Sequence, residues 1–231
     1  ELPGDVARVL SAYLDLLDVD LEPGAGSSGK LVRYPGSPLI ARRLMRAGDR
    51  LVVNELHPQD RDQLAELFHR DSQTKVMGLD GYTALKALLP PKERRGVVLI
   101  DPPFEVASEF DRLAGAVSAA HRRFATGTII LWYPIKSRVE VEHFHQRLRV
   151  AGVAKVLAAE LQVAEPDAAA KGLVATGVVV VNPPYTLADD LTIAMPHLVC
   201  LMANGPGARG DVRWLVEEAA KGGGGPFVTR S

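Results

Sequence analysis

Cysteine is almost absent. Cys200 stands alone among 231 residues, so neither a disulfide framework nor a cysteine metal site is available within the chain. It lies in the apolar segment Leu198-Val199-Cys200-Leu201-Met202, which predicts a buried, inert thiol. Long hydrophobic runs are missing too. Nothing approaches the roughly 20 apolar residues that cross a bilayer, and no basic start followed by a short apolar stretch reads as a secretory signal; a cytosolic location is expected. Charge of one sign is also lacking, because a formal net charge of -1 leaves no broad basic excess to hold nucleic acid by charge alone. The pairs Arg42-Arg43, Arg94-Arg95 and Arg122-Arg123 could still touch phosphates, or could be solvated helix ends. What the chain does have is 47% hydrophobic and 24% charged content, the balance of an ordinary globular protein with a substantial core.

The apolar runs alternate regularly. Arg50 to Asn54 reads as a strand, Gln59 to Arg70 as a helix, Thr74 to Leu79 as a weaker strand, and Tyr82 to Leu89 as a helix stopped by Pro90-Pro91. Gly96-Val97-Val98-Leu99-Ile100 carries no polar side chain, which predicts a strand covered on both faces and makes it a candidate for the sheet centre. Phe110, Leu113, Ala114, Val117 and Phe124 mark a helical face, Thr128 to Tyr133 a strand, and Val139 to Ala151 another helix. Val153 to Val163 and Gly172 to Val181 both look like strands. Only Ala164 to Lys171 separates them, too little for a crossover helix, so they should pair antiparallel. Parallel βα units closed by a terminal antiparallel hairpin describe an α/β, Rossmann-like open sheet, in which ligands bind beyond the carboxyl ends of the strands.

Those ends carry Glu55, Asp80 and Asp101. A carboxylate just past the second strand of a nucleoside-binding sheet can accept hydrogen bonds from both ribose hydroxyls, which suits Glu55. Asp80-Gly81 could hold an adenine edge, with glycine letting the backbone come close, although Asp and Gly are equally ordinary cap and loop residues. Asp101-Pro102-Pro103-Phe104 is the sharpest feature. An aromatic amine is a poor nucleophile because its lone pair is delocalised into the ring. A site that methylates it must accept both N–H groups and favour a pyramidal nitrogen. Asp101 and the Pro102 carbonyl supply two acceptors, proline stiffens the turn, and Phe104 offers a flat face to a base flipped out of its stack. The plainer alternative is a strand-ending turn.

Asn182-Pro183-Pro184-Tyr185 is a rival copy. It follows the second arm of the terminal hairpin, at an expected edge position remote from Glu55 and Asp80, and is read as a structural turn. Gly24-Ala25-Gly26-Ser27-Ser28-Gly29 spells GxGxxG, but no helix opens after it, so it is read as a surface loop. Gly222 to Gly225 suggests a flexible tail. Ser37 before Pro38 reads as the N-cap of a helix. His143 and His145, two apart on a helix, face different directions and do not form a metal pair.

Together, Tyr34-Pro35-Gly36-Ser37-Pro38-Leu39-Ile40-Ala41-Arg42, Asn54-Glu55-Leu56-His57-Pro58, Arg94-Arg95-Gly96, Asp101-Pro102-Pro103-Phe104 and Phe124-Ala125-Thr126-Gly127-Thr128 resemble the RlmJ family, bacterial 23S ribosomal RNA adenine-N6 methyltransferases. Leu131-Trp132-Tyr133-Pro134, Gly177 and Asn182-Pro183-Pro184 extend the likeness over most of the chain. The resemblance implies a class I S-adenosylmethionine-dependent methyltransferase sheet. It implies that Ser37, Glu55, Asp80 and Gly81 contact S-adenosylmethionine. Asp101 would lie between cofactor and base as the catalytic residue, with Pro102, Pro103 and Phe104 at the base. Family members begin with a further stretch carrying a first strand and a glycine-rich cofactor loop that nothing here matches. Residues 1–36 are therefore expected to be a remnant of a helical insertion and loop, 37–216 the methyltransferase domain without its first strand, and 217–231 a tail. A monomer acting on 23S ribosomal RNA, without metal or membrane, is the expectation. The alternatives are a DNA adenine methyltransferase, a non-catalytic RNA- or nucleotide-binding fragment, and, least favoured, a dehydrogenase on a similar sheet.

Overall fold

The computed structural model describes residues 2–18, 34–106, 108–166 and 172–217, so the Gly24 to Gly29 and Gly222 to Gly225 segments lie outside the described residues. The chain divides into two compact units, Glu1–Leu89 and Pro90–Ser231.

The first unit holds helices α1 (Gly4–Asp18) and α2 (Ser37–Leu44), strand β1 (Leu51–Asn54), helix α3 (Pro58–Leu67), strand β2 (Thr74–Met77) and helix α4 (Gly81–Leu88). β1 and β2 pair in parallel, with Asn54 opposite Met77, so both carboxyl ends face one edge. Arg42 on α2 is tied to Asp71 and donates to Gln73 Oε1 at 2.8 Å, fixing the helix to the chain that enters β2. Beside that guanidinium the Asp71 carboxyl is held far below the usual carboxylate range. Ser37 is not the cap. Gly36 occupies that position and its carbonyl accepts from Leu39 and Ile40 N–H, while no side chain caps the helix. Pro38 fits the first turn, as its ring requires, and that shifts the cap one residue earlier.

The second unit contains β3 (Val97–Ile100), α5 (Glu109–Arg123), β4 (Thr128–Pro134), α6 (Arg138–Val150), β5 (Val156–Gln162), β6 (Ala175–Val181), α7 (Leu187–Met202) and β7 (Arg209–Val216). Its sheet runs β3-β4-β6-β5-β7. β3 and β4 are parallel, while β6 is antiparallel to both β4 and β5, so β3, β4 and β5 point the same way. The predicted hairpin forms, but β6 is not an edge strand: it lies between β4 and β5. β3 is corrected in the opposite sense. It is the edge of this sheet, with Val97 and Leu99 exposed, because an apolar run permits two covered faces but does not supply the neighbours that would cover them.

Side chains alternate across the sheet as strand pleating demands. Tyr133, Glu160 and Gly177 share the face packed by α5 and α6, where Phe110 and Phe144 stack around the Tyr133 ring with centroids 6.3 and 5.7 Å away. A Cβ on Gly177 would collide with that ring, which explains glycine at the centre of a strand. Gly210 faces the other side, where Met195 and Val199 of α7 press against it. α5 begins with Glu109 and Asp111 and ends with Arg122-Arg123, charges that complement the helix dipole. Neither α7 nor β7 is expected from the sequence. Cys200, on α7, is exposed rather than buried, because the segment is one helix and turns that position away from the sheet.

Candidate active site

In the second unit Asp101 follows the carboxyl end of β3. Its side chain is exposed, and among the described residues its carboxylate has no hydrogen-bond or ion-pair partner. The surrounding chain nevertheless strips enough water from it to raise its pKa above the usual carboxylate value. The turn after it is shaped by Pro102 and Pro103 and then by Phe104, which adopts φ +52°, a left-handed conformation uncommon for an aromatic residue. Packing holds it there. The Phe104 ring lies 5.1 Å from Phe110 and 6.0 Å, edge to face, from Trp132, so it is half-buried in an aromatic cluster rather than free.

Asn182 lies at the other end of the same sheet. Val181 pairs with Ile129 near the start of β4, whereas Ile100, just before Asp101, pairs with Leu131 further along it. Antiparallel direction, not remoteness in strand order, separates the two motifs. Asn182 also has a structural role, since its carbonyl accepts from Thr128 Oγ1 at 2.9 Å and its own φ is +52°. The Arg94-Arg95-Gly96 and Phe124 to Thr128 motifs meet at that end as well. Thr126 Oγ1 donates to the Arg94 carbonyl at 2.6 Å, and the Phe124 ring covers Gly127 where no Cβ would fit.

In the first unit Glu55 and Asp80 follow the paired carboxyl ends of β1 and β2. Glu55 Oε1 accepts from His57 N–H at 2.8 Å, which leaves Oε2 for a ligand hydroxyl. Asp80 is the N-cap of α4, with Oδ1 accepting from Thr83 N–H at 3.0 Å and Oδ2 left over. Gly81 opens that helix with nothing within 4 Å of where a Cβ would stand, so a ligand edge can approach its backbone. Asn54 reads in the sequence only as a strand end. Its amide donates to the Leu79 carbonyl at 2.8 Å and accepts from Leu79 N–H at 3.0 Å, locking the loop that carries Asp80 to the strand that carries Glu55. A polar residue closing an apolar strand beside two acidic loops is the only sequence signal for it. Ser37 lies five residues before the Arg42 anchor, about 7.5 Å along the helix axis. The four residues assigned to the methyl donor thus lie in the first unit, and Asp101 to Phe104 in the second.

The family model described as Ribosomal RNA large subunit methyltransferase D, RlmJ, matches residues 4–216. The chain belongs to the RlmJ family. It is 37% identical over 214 residues to Ribosomal RNA large subunit methyltransferase J of Escherichia coli, covering 93% of this chain and 74% of that protein. It is 39% identical over 220 residues to the protein of the same name from Haemophilus influenzae, covering 94% and 74%. The crystal structure of protein LPL1258 from Legionella pneumophila aligns with a TM-score of 0.79 at 30% identity, over 93% of this chain and 75% of that one. Membership of the RlmJ family makes the chain a methyltransferase with a Rossmann-like α/β fold. Among the described residues no helix is long and apolar enough to cross a membrane, and no cluster of His, Cys, Asp or Glu could hold a metal ion.

Proposed function

We propose that the protein transfers a methyl group from S-adenosylmethionine to the exocyclic N6 amine of an adenine in 23S ribosomal RNA, acting in the cytoplasm as a monomer. One observation carries the reading: Asp101 ends an apolar strand with a carboxylate that no described residue engages, in a turn stiffened by two prolines and by the packing of Phe104. A carboxylate with no internal partner can take a hydrogen bond from an incoming amine. The Pro102 carbonyl takes the second N–H, and the pair orients the nitrogen lone pair. The half-buried Phe104 ring, held in place by Phe110 and Trp132, offers its remaining surface to an extruded base.

S-adenosylmethionine supplies an electrophilic methyl group on a sulfonium. As the N–C bond forms the S–C bond breaks, the electron pair stays on sulfur, and the amine proton passes to Asp101 or to water. The chain's own part in donor binding falls to Glu55 Oε2 at the ribose hydroxyls, Asp80 Oδ2 and the Gly81 backbone at the adenine edge, and Ser37. The free oxygens on both carboxylates and the open space at Gly81 fit such a ligand. Calorimetry with S-adenosylmethionine, followed by a methylation assay offering protein-free 23S RNA beside duplex DNA, tests the reading. Donor binding with N6-methyladenine formed only in RNA is expected. Methylation of duplex DNA in preference, or no donor binding, overturns it.

A further inference from the structure

The carboxyl edge of the second unit's sheet carries more than Asp101. Because β3, β4 and β5 run in one direction and β6 and β7 run against β5, that edge gathers Asp101 after β3, Lys136 and Arg138 after β4, Ala175 at the start of β6, Gln162 at the end of β5, and Arg209 at the start of β7 opposite Gln162. Arg209 and Arg213 alternate along β7 on the face that also bears Glu160. With Arg138 at the start of α6 these residues line a cleft of about 340 Å³.

The base of the cleft is rigid. Glu160, only 3% exposed, accepts from Tyr133 Oη at 2.9 Å, is bridged by Arg138, and lies 3.4 Å from Arg213. Arg213 is also paired with Asp211. The two carboxylates therefore engage Arg138 and Arg213. Arg209 remains, exposed and with no partner among the described residues, and Lys136, just before Arg138 in the chain, is exposed and without a described partner as well. A cleft with an excess cation at its mouth, and guanidinium groups held below by a buried carboxylate, matches a phosphodiester: Arg presents a planar fork of donors, and its pre-organisation lowers the entropy lost on binding.

We propose that this cleft seats a backbone phosphate of the RNA strand flanking the target adenine, with Arg209 as the principal contact and Arg138 and Arg213 supplying further N–H donors. The inference rests on the RNA reading above. Four inter-strand steps separate β3 from β7, about 19 Å at the usual spacing, so a strand whose base is held at Asp101 would run along the sheet edge over β4, β6 and β5 to reach the cleft. Such a contact gives register without reading sequence. It also explains how a chain with net charge -1 could hold RNA, through a local grip rather than a basic surface.

The test is fluorescence anisotropy of a labelled RNA hairpin with an adenine-containing loop, titrated with the full chain, with Arg209→Glu and with Arg123→Glu. Arg123 is an exposed arginine at the end of α5, at the opposite edge of the same sheet. Titrations span about 50 to 200 mM salt, with thermal melts to show that each variant is folded. Arg209→Glu is expected to bind at least about tenfold more weakly and to lower the slope of log K against log salt by about 1, while Arg123→Glu matches the parent. Parental affinity and slope in folded Arg209→Glu, or an equal loss in Arg123→Glu, overturns the phosphate site and leaves the RNA reading standing. A parent chain that binds no RNA removes both.

Discussion

Acid should destabilise the second unit through one buried imidazole. His145 is fully buried. Tyr133 donates its only hydroxyl proton to Glu160 Oε1 at 2.9 Å, so the 3.0 Å contact between Tyr133 Oη and His145 Nε2 requires the histidine to be the donor. That fixes the neutral tautomer with the proton on Nε2 and leaves Nδ1 to accept from Arg213 Nη2, 3.4 Å away. Protonation would set Nδ1–H against a guanidinium inside the packed core. Burial first, with Arg213 adding and Glu160 opposing, pulls the His145 pKa from 6.5 down to about 4. The unfolded chain therefore binds a proton between those values that the folded chain refuses, and stability falls as pH drops. The full effect is about 3 kcal/mol below pH 4, of which about 2 kcal/mol is lost between pH 7.5 and pH 5. Urea unfolding of the parent and of His145→Gln at pH 7.5 and pH 5 reads it. Glutamine lowers stability at both values but removes this titration, so the fall between the two pH values should be about 2 kcal/mol smaller in the variant. Equal falls in both proteins would refute the claim that burial holds His145 neutral.

Gly177→Ala should destabilise by about 2 kcal/mol, because the new methyl group meets the Tyr133 ring inside a packed face; a urea midpoint shift at unchanged slope measures it. Asp80→Ala removes the α4 cap, for a loss of about 1 kcal/mol, and should also weaken S-adenosylmethionine binding in calorimetry; weakened binding at unchanged stability would contradict the cap geometry. Asn54→Ala should raise the KM for the methyl donor more than it lowers kcat, since it releases the Leu79 loop without touching the reacting atoms; an equal effect on both would contradict a positioning role. The acid limb of kcat/KM should lie above the ordinary carboxylate value of about 3.9, because Asp101 must be ionised to accept the amine and desolvation raises its pKa.

The elements legible in the sequence are those whose burial follows their own periodicity. β4 alternates half-buried and buried positions from Thr128 to Tyr133, and α6 buries Val141, Phe144, His145 and Leu148 at helical spacing. Periodicity fails where a neighbour decides. Val97 and Leu99 look like core residues, yet β3 is an edge of its sheet. β7 alternates the charged Arg209, Asp211 and Arg213 with Gly210, Val212 and Trp214, a strand pattern whose charged face reads as solvent-facing until Glu160 is found opposite it. α7 carries Pro196 in its interior, a residue that normally ends a helix, and so its apolar run does not read as one. The positions of Glu55, Asp80 and Asp101 after strand ends are legible because each follows an apolar run. The Asn54 clamp and the contact of Phe104 with Trp132 are not, since both join residues more than 20 positions apart.

The account depends on Asp101 holding the amine that is methylated. Asp101→Ala, shown to be folded by its thermal melt and still binding S-adenosylmethionine in calorimetry, should be assayed on protein-free 23S RNA by mass spectrometry of N6-methyladenine. A loss of at least about 100-fold in rate is expected for removing a positioned proton acceptor. Methylation at the parental rate would contradict the account.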